Sequence, residues 1–110
     1  MTIREIGANE LVKLMESQQV KIIDVREKFE VEAGTIESAE HIPLRTIPAK
    51  ISGIDKDSTL VFICRSGNRS YQACSFLASR GFENVINLRG GVMGWARDGY
   101  TFVQPSASVA

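Results

Sequence analysis

Short, wholly apolar runs alternate along this chain with stretches whose apolar residues recur every three or four positions. The clearest run is Leu60-Val61-Phe62-Ile63, apolar without alternation, as in a parallel strand covered on both faces. The residues that follow it predict a helix, with Ala73, Cys74, Leu77 and Gly81 on one face. Val20–Val25 and Asn84–Leu88 read as further strands, and Thr2–Ile6 alternates like a short edge strand. Ala39–Ile42 is a brief strand ended by Pro43. Leu11, Leu14 and Met15 place a helix over Glu10–Glu16, with either Asn9 as its cap or a start one or two residues earlier. Glu27–Ala33 reads as a short acidic helix stopped by Gly34. Leu44–Ile51 reads as helix or turn despite Pro48, and Asp55–Ser58 as a turn. Arg80-Gly81-Phe82 closes the long helix, and Arg89-Gly90-Gly91 loops into a last amphipathic helix over Val92–Arg97. Residues 105–110 carry no pattern and are expected to fray beyond a domain spanning residues 1–104.

Strands alternating with helices at these spacings predict a single α/β domain with a mainly parallel five-stranded sheet and helices on both faces. The length of 110 residues suits one core without disulfide or metal staples. Two cysteines ten positions apart make neither a disulfide framework nor a zinc quartet. A formal net charge of zero gives no basic field for nucleic acid or an acidic membrane surface. No apolar run approaches the length of a membrane span, and the first residues lack the layout of a secretory signal. A cytoplasmic location is the expectation, with Met1 taken as the native start.

The candidate chemistry lies where the central strand ends. Cys64 opens a loop of small, polar and basic residues (Arg65, Ser66, Gly67, Asn68, Arg69 and Ser70) that runs straight into a helix. A strand, a tight loop and a helix N-terminus converge unpaired N–H groups and make an anion site. A cysteine at the mouth of such a site loses its proton readily, which is what a nucleophile needs. Ligands in parallel sheets bind outside the carboxyl ends of the strands, where Asp24, Arg26 and Gly90 are also expected.

Three motifs on these residues resemble the rhodanese (sulfurtransferase) domain family over almost the whole chain. The first, of the form D-V-R-E-x-x-E, stands as Asp24-Val25-Arg26-Glu27-Lys28-Phe29-Glu30. The second, C-R-S-G-x-R-S, stands as Cys64-Arg65-Ser66-Gly67-Asn68-Arg69-Ser70. The third, a strand followed by G-G and a helix with tryptophan, stands as Val85–Leu88, Gly90, Gly91 and Trp95. The segment that usually reads G-H-I-P-G-A is here Gly34-Thr35-Ile36-Glu37-Ser38-Ala39, so Thr35 replaces a histidine and Glu37-Ser38 a Pro-Gly turn. The resemblance implies sulfur transfer through a persulfide on Cys64. The donor would be a small anion such as thiosulfate, the acceptor cyanide or a small-molecule or protein thiol, with no cofactor and no metal. The related cysteine phosphatases and arsenate reductases use C-x5-R. Here only four residues separate Cys64 from Arg69, a cradle suited to one extra sulfur atom rather than a tetrahedral oxyanion.

Within that reading Arg65 is expected at the mouth, attracting the donor, and Arg69 turned inward onto Glu30 or Asp24. Asp24 and Arg26 are expected as a rim ion pair that fixes the neighbouring loop. Cys74 and His41 read as structural, and Met93 and Trp95 as core or rim packing. Glu27, Glu30 and Glu32 are a solvated helix face, apart from Glu30 if it meets Arg69. The competing class is a recognition or regulatory module that keeps the fold without turnover.

Overall fold

The computed structural model describes residues 2–17 and 19–105. Five strands, β1 (Arg4–Ile6), β2 (Lys21–Asp24), β3 (Glu40–His41), β4 (Leu60–Ile63) and β5 (Val85–Leu88), form one sheet in the order β1-β5-β4-β2-β3. Every pairing is parallel. The apolar runs of β4 and β5 are buried at all four positions, because both sheet faces are covered. Leu60 and Phe62 pack with Ala73, Cys74 and Leu77 of helix α4 (Asn68–Ala78) and with Ile47 of helix α3 (Ile47–Lys50). Val61 and Ile63 face the other way, onto Leu11 of helix α1 (Ala8–Ser17) and onto Val92 and Trp95 of helix α5 (Gly91–Arg97).

Several boundaries differ from the sequence reading. Helix α1 starts at Ala8, the earlier of the two starts the sequence allows, so Asn9 lies inside it and is not its cap; Gly7, just before it, donates its N–H to Glu10 Oε1 at 3.1 Å. Helix α4 ends at Ala78, so Gly81 is not on its buried face. The turn closes because Gly81 adopts φ +93° and Phe82 donates back to the Leu77 carbonyl at 3.1 Å, tucking the Phe82 ring into the core. Leu44–Ile51 becomes a 3-10 turn over Leu44–Thr46 followed by α3 and a second 3-10 turn over Ile51–Gly53. Pro48 is tolerated because it sits in the first turn of α3, where no intrahelical N–H is needed. Helix α2 (Lys28–Glu32) is shorter than expected, and Gly34 follows it at φ +139°. Of the two residues read as core or rim, Met93 is exposed at the surface and Trp95 is buried, its ring centroid 4.7 Å from that of Tyr100.

The expected tail divides at Pro105: residues 106–110 lie outside the described residues. Just before it, Val103 and Thr35 exchange two backbone hydrogen bonds of 2.9 Å, tying the end of the described chain to the loop after α2. No helix among the described residues is long and apolar enough to cross a membrane.

The Asp24–Arg26 pair sits under the rim rather than on it. Asp24 is fully buried and Arg26 only 6% exposed. Asp24 accepts from Arg26 Nε at 3.0 Å and Nη2 at 2.8 Å, from the Arg26 main chain at 3.1 Å, and from Thr35 Oγ1 at 2.8 Å. Arg26 Nη2 also donates to the Gly34 carbonyl at 2.8 Å, and His41 Nε2 donates to the Arg26 carbonyl at 2.7 Å. The pair is buried because the departed Gly34-Thr35 segment folds over it and supplies its remaining hydrogen bonds. Removing one partner strands a buried charge, so Arg26→Met is expected to cost about 3–5 kcal/mol in urea unfolding. Arg26→Met combined with Asp24→Asn should recover part of that loss; a single variant with an unshifted midpoint would show that the pair holds nothing.

Candidate active site

The loop that follows β4 is shaped from outside. The first N–H groups of α5 point at it: Val92 donates to the Cys64 carbonyl at 2.9 Å and Met93 to the Arg65 carbonyl at 3.0 Å. Those bonds draw the two carbonyls away from the loop's interior. Gly90 and Gly91 make the approach possible, with φ of +83° and +60°. A Cβ at Gly91 would lie 2.4 Å from the Arg65 oxygen and 2.6 Å from the Cys64 oxygen, so no side chain fits there. On the inner side, Gly67 at φ +107° starts α4 and turns its N–H onto Cys64 Sγ at 3.1 Å.

Cys64 therefore lies beneath its loop and not at its mouth: the residue is 1% exposed. Burial by itself pushes the thiol up, but the Ser70 hydroxyl and the main-chain N–H groups of Ser70, Gly67 and Ser66 outweigh it, and the net shift is downward. This is the environment of a thiolate held by dipoles. Cys74, one of the core residues on α4, has no such donors, and burial pushes it up to about 12. It reads as an inert thiol, as its sequence position suggested.

The two arginines separate cleanly. Arg65 is exposed beside the loop, as are Ser66 and Asn68. Arg69 turns back across the molecule to Glu30 of α2, with Nη1 to Oε2 at 2.8 Å and Nη2 to Oε1 at 2.9 Å. Asp24 is not its partner, being held by Arg26. Glu30 also accepts from the Glu27 N–H at 2.9 Å, so one carboxylate ties the start of α2 to the start of α4. Glu27 itself meets Arg45 at 3.3 Å, and Glu32 stays in solvent.

Two residues that the sequence reading passed over complete the site. Asn87 of β5 is 1% exposed, its Oδ1 accepts from the Ser70 hydroxyl at 2.5 Å, and its Nδ2 donates to the Gly67 carbonyl at 3.1 Å. The same Nδ2 donates to Glu5 Oε2 of β1 at 2.8 Å. One amide thus contacts two of the three residues whose donors face the Cys64 sulfur. The available signal was a polar residue inside the otherwise apolar run Val85-Ile86-Asn87-Leu88, since a buried amide needs partners.

The Arg69 guanidinium beside Glu30 holds its carboxyl at about 2, well below the usual 4.5. A depressed folded-state value stabilises the protein above the unfolded pKa, and that stability is lost as pH falls through the folded one. The wild type should accordingly lose stability between about pH 4.5 and 2, and Glu30→Gln or Arg69→Ala should flatten that part of the curve while lowering the melting temperature at neutral pH. Melting curves across that range check it; identical acid slopes in wild type and variants would show that the contact carries no folding energy.

Comparison with known proteins places these features in a family. The family model described as Rhodanese-like domain matches residues 7–98. The chain is 41% identical over 104 residues to a sulfurtransferase of Allochromatium vinosum, covering 94% of this chain and 97% of that one. It is 30% identical to the thiosulfate sulfurtransferase GlpE of Shewanella oneidensis, over 84% of this chain and 91% of the relative. Among solved structures, a rhodanese-related protein from Thermoplasma volcanium superposes with a TM-score of 0.84 at 33% identity, over 91% of this chain and 97% of that one. With a family match over most of its length and a parallel sheet that superposes on this relative, the chain belongs to the rhodanese-like domain family.

Proposed function

We propose that this protein is a sulfurtransferase that carries a sulfane sulfur on Cys64. The observation that supports this best is the set of donors on the sulfur: the Gly67 N–H at 3.1 Å, the Ser70 hydroxyl at 3.3 Å, and the neighbouring N–H groups of Ser66 and Ser70. The Cys64 thiolate attacks the outer sulfur of a donor such as thiosulfate. A new S–S bond forms as the old one breaks, and sulfite departs with the electron pair. An acceptor nucleophile, a thiol or cyanide, then takes the outer sulfur, and Cys64 leaves as thiolate. Thiolate and persulfide are both anionic, so the fixed main-chain N–H donors serve both steps without rearrangement. Sulfurtransferases among the relatives, one of them named for thiosulfate, agree with this reading.

The burial of Cys64 makes reach the decisive question, because the donor's sulfur has to enter between loop residues to meet Sγ. Incubation with thiosulfate followed by intact-mass measurement tests it. The expected result is a gain of one sulfur atom, reversed by cyanide and absent in Cys64→Ser. A wild-type protein that gains no mass with thiosulfate or with a persulfide donor would overturn the reading and leave a binding module.

Arg65 has an exposed side chain in the loop and is positioned to attract a dianion through solvent. Arg65→Ala is expected to raise KM for thiosulfate severalfold with a smaller change in kcat, and to weaken the salt dependence of kcat/KM. An equal loss with an uncharged donor would rule out that role.

A further inference from the structure

The Ser70 hydroxyl has two acceptors and one proton. Its oxygen lies 3.3 Å from Cys64 Sγ and 2.5 Å from Asn87 Oδ1. The orientation of Asn87 is not free, because its Nδ2 faces two acceptors, the Gly67 carbonyl at 3.1 Å and Glu5 Oε2 at 2.8 Å. Oδ1 must therefore point at Ser70 and accept its proton. With that proton committed, Ser70 turns lone pairs toward Sγ, which suits a protonated thiol donating to Ser70. Ionisation of Cys64 calls for the reverse, the Ser70 O–H turned onto sulfur and Asn87 Oδ1 left unpaired in a buried site.

We propose that Glu5 and Asn87 are positioning residues that govern where the Ser70 proton points, and through it how easily Cys64 ionises. The carboxylate on Nδ2 polarises the amide and makes Oδ1 a stronger acceptor, so it competes with sulfur for the proton. Weakening the chain at Glu5 should release Ser70 to the thiolate. This deepens the sulfur-transfer reading, since it concerns the same cysteine.

The other charges about the loop include Arg69 with its partner Glu30, Asp24 and Arg26 at the end of β2, Arg65 within the loop, and Arg89 at the end of β5, whose main chain bonds Ile6 and whose guanidinium lies by Gly7; the first turn of α5 brings none. Glu5 also acts through space, so the test has to separate its charge from its hydrogen bond. Cys64 ionisation is followed as the pH dependence of iodoacetamide alkylation, read by mass spectrometry on the Cys64 peptide. Cys74 does not interfere, being pushed up to about 12. Glu5→Ala should make alkylation below the midpoint roughly threefold faster, a midpoint lower by about half a pH unit. Glu5→Asp keeps the charge but draws it out of reach of Nδ2, and should behave like Glu5→Ala. Ser70→Ala should raise the midpoint, and adding Glu5→Ala to it should change nothing further. A wild-type midpoint in Glu5→Asp, or an undiminished effect of Glu5→Ala in the Ser70→Ala background, would overturn the relay in favour of simple charge repulsion. Should Ser70→Ala fail to fold, the exposed-site pair Glu5→Ala and Glu5→Asp decides by itself. Alkylation needs no sulfur donor, so a failed persulfide assay leaves this result readable and sinks only the function.

Discussion

Two main-chain hydrogen bonds hold the arrangement on which the site depends: α5 pulls the carbonyls of Cys64 and Arg65 outward, at 2.9 and 3.0 Å. A short loop cannot choose by itself which of its dipoles face in. With two carbonyls engaged outside, the N–H groups of Ser66, Gly67 and Ser70 are left to converge on sulfur. The Gly90-Gly91 turn is the steric condition for this, since any Cβ at Gly91 would overlap the loop it supports. The helix that carries Trp95 into the far core thus also sets the polarity of the loop on the opposite sheet face.

Burial opposes the ionisation of the Cys64 thiol, and the structure offsets that cost with direction. Desolvation raises the thiol's pKa, yet several aligned donors bring it below the ordinary value. They act because each is fixed by something rigid. Asn87 Nδ2 fixes the Gly67 carbonyl, and Arg69 on Glu30 fixes the start of α4. The strand supplying Asn87 is the next neighbour of the strand supplying Cys64, so the distance between clamp and sulfur follows from the spacing of paired strands.

The Gly34-Thr35 segment closes the space under the rim. The Thr35 hydroxyl donates to the buried Asp24 carboxylate at 2.8 Å. Together with the Gly34 carbonyl on Arg26 and the backbone bridge to Val103, it closes a polar network under the rim. Among the described residues no buried side-chain nitrogen or oxygen is left without a partner.

How much could be read beforehand divides by the range of the interaction. The apolar runs at Leu60–Ile63 and Val85–Leu88, the helical spacing of Ala73, Cys74 and Leu77, and the glycines at Gly67, Gly90 and Gly91 are local, and they carried the parallel α/β class, helices on both faces and the loop with its cysteine. They also carried Arg69 onto Glu30 as one of two options. Three things were decided only by folding. The partner of Arg69 depended on which carboxylate was already spent, and Asp24 was spent on Arg26. The depth of Cys64 depended on α5 drawing the loop closed above it. Asn87 and Glu5, seventeen and fifty-nine positions from Ser70 and Cys64 respectively, meet the site only because parallel pairing sets β1 beside β5 and β5 beside β4. Periodicity reports which face a residue occupies; which other chain segment shares that face is settled by strand order, and no local pattern encodes it.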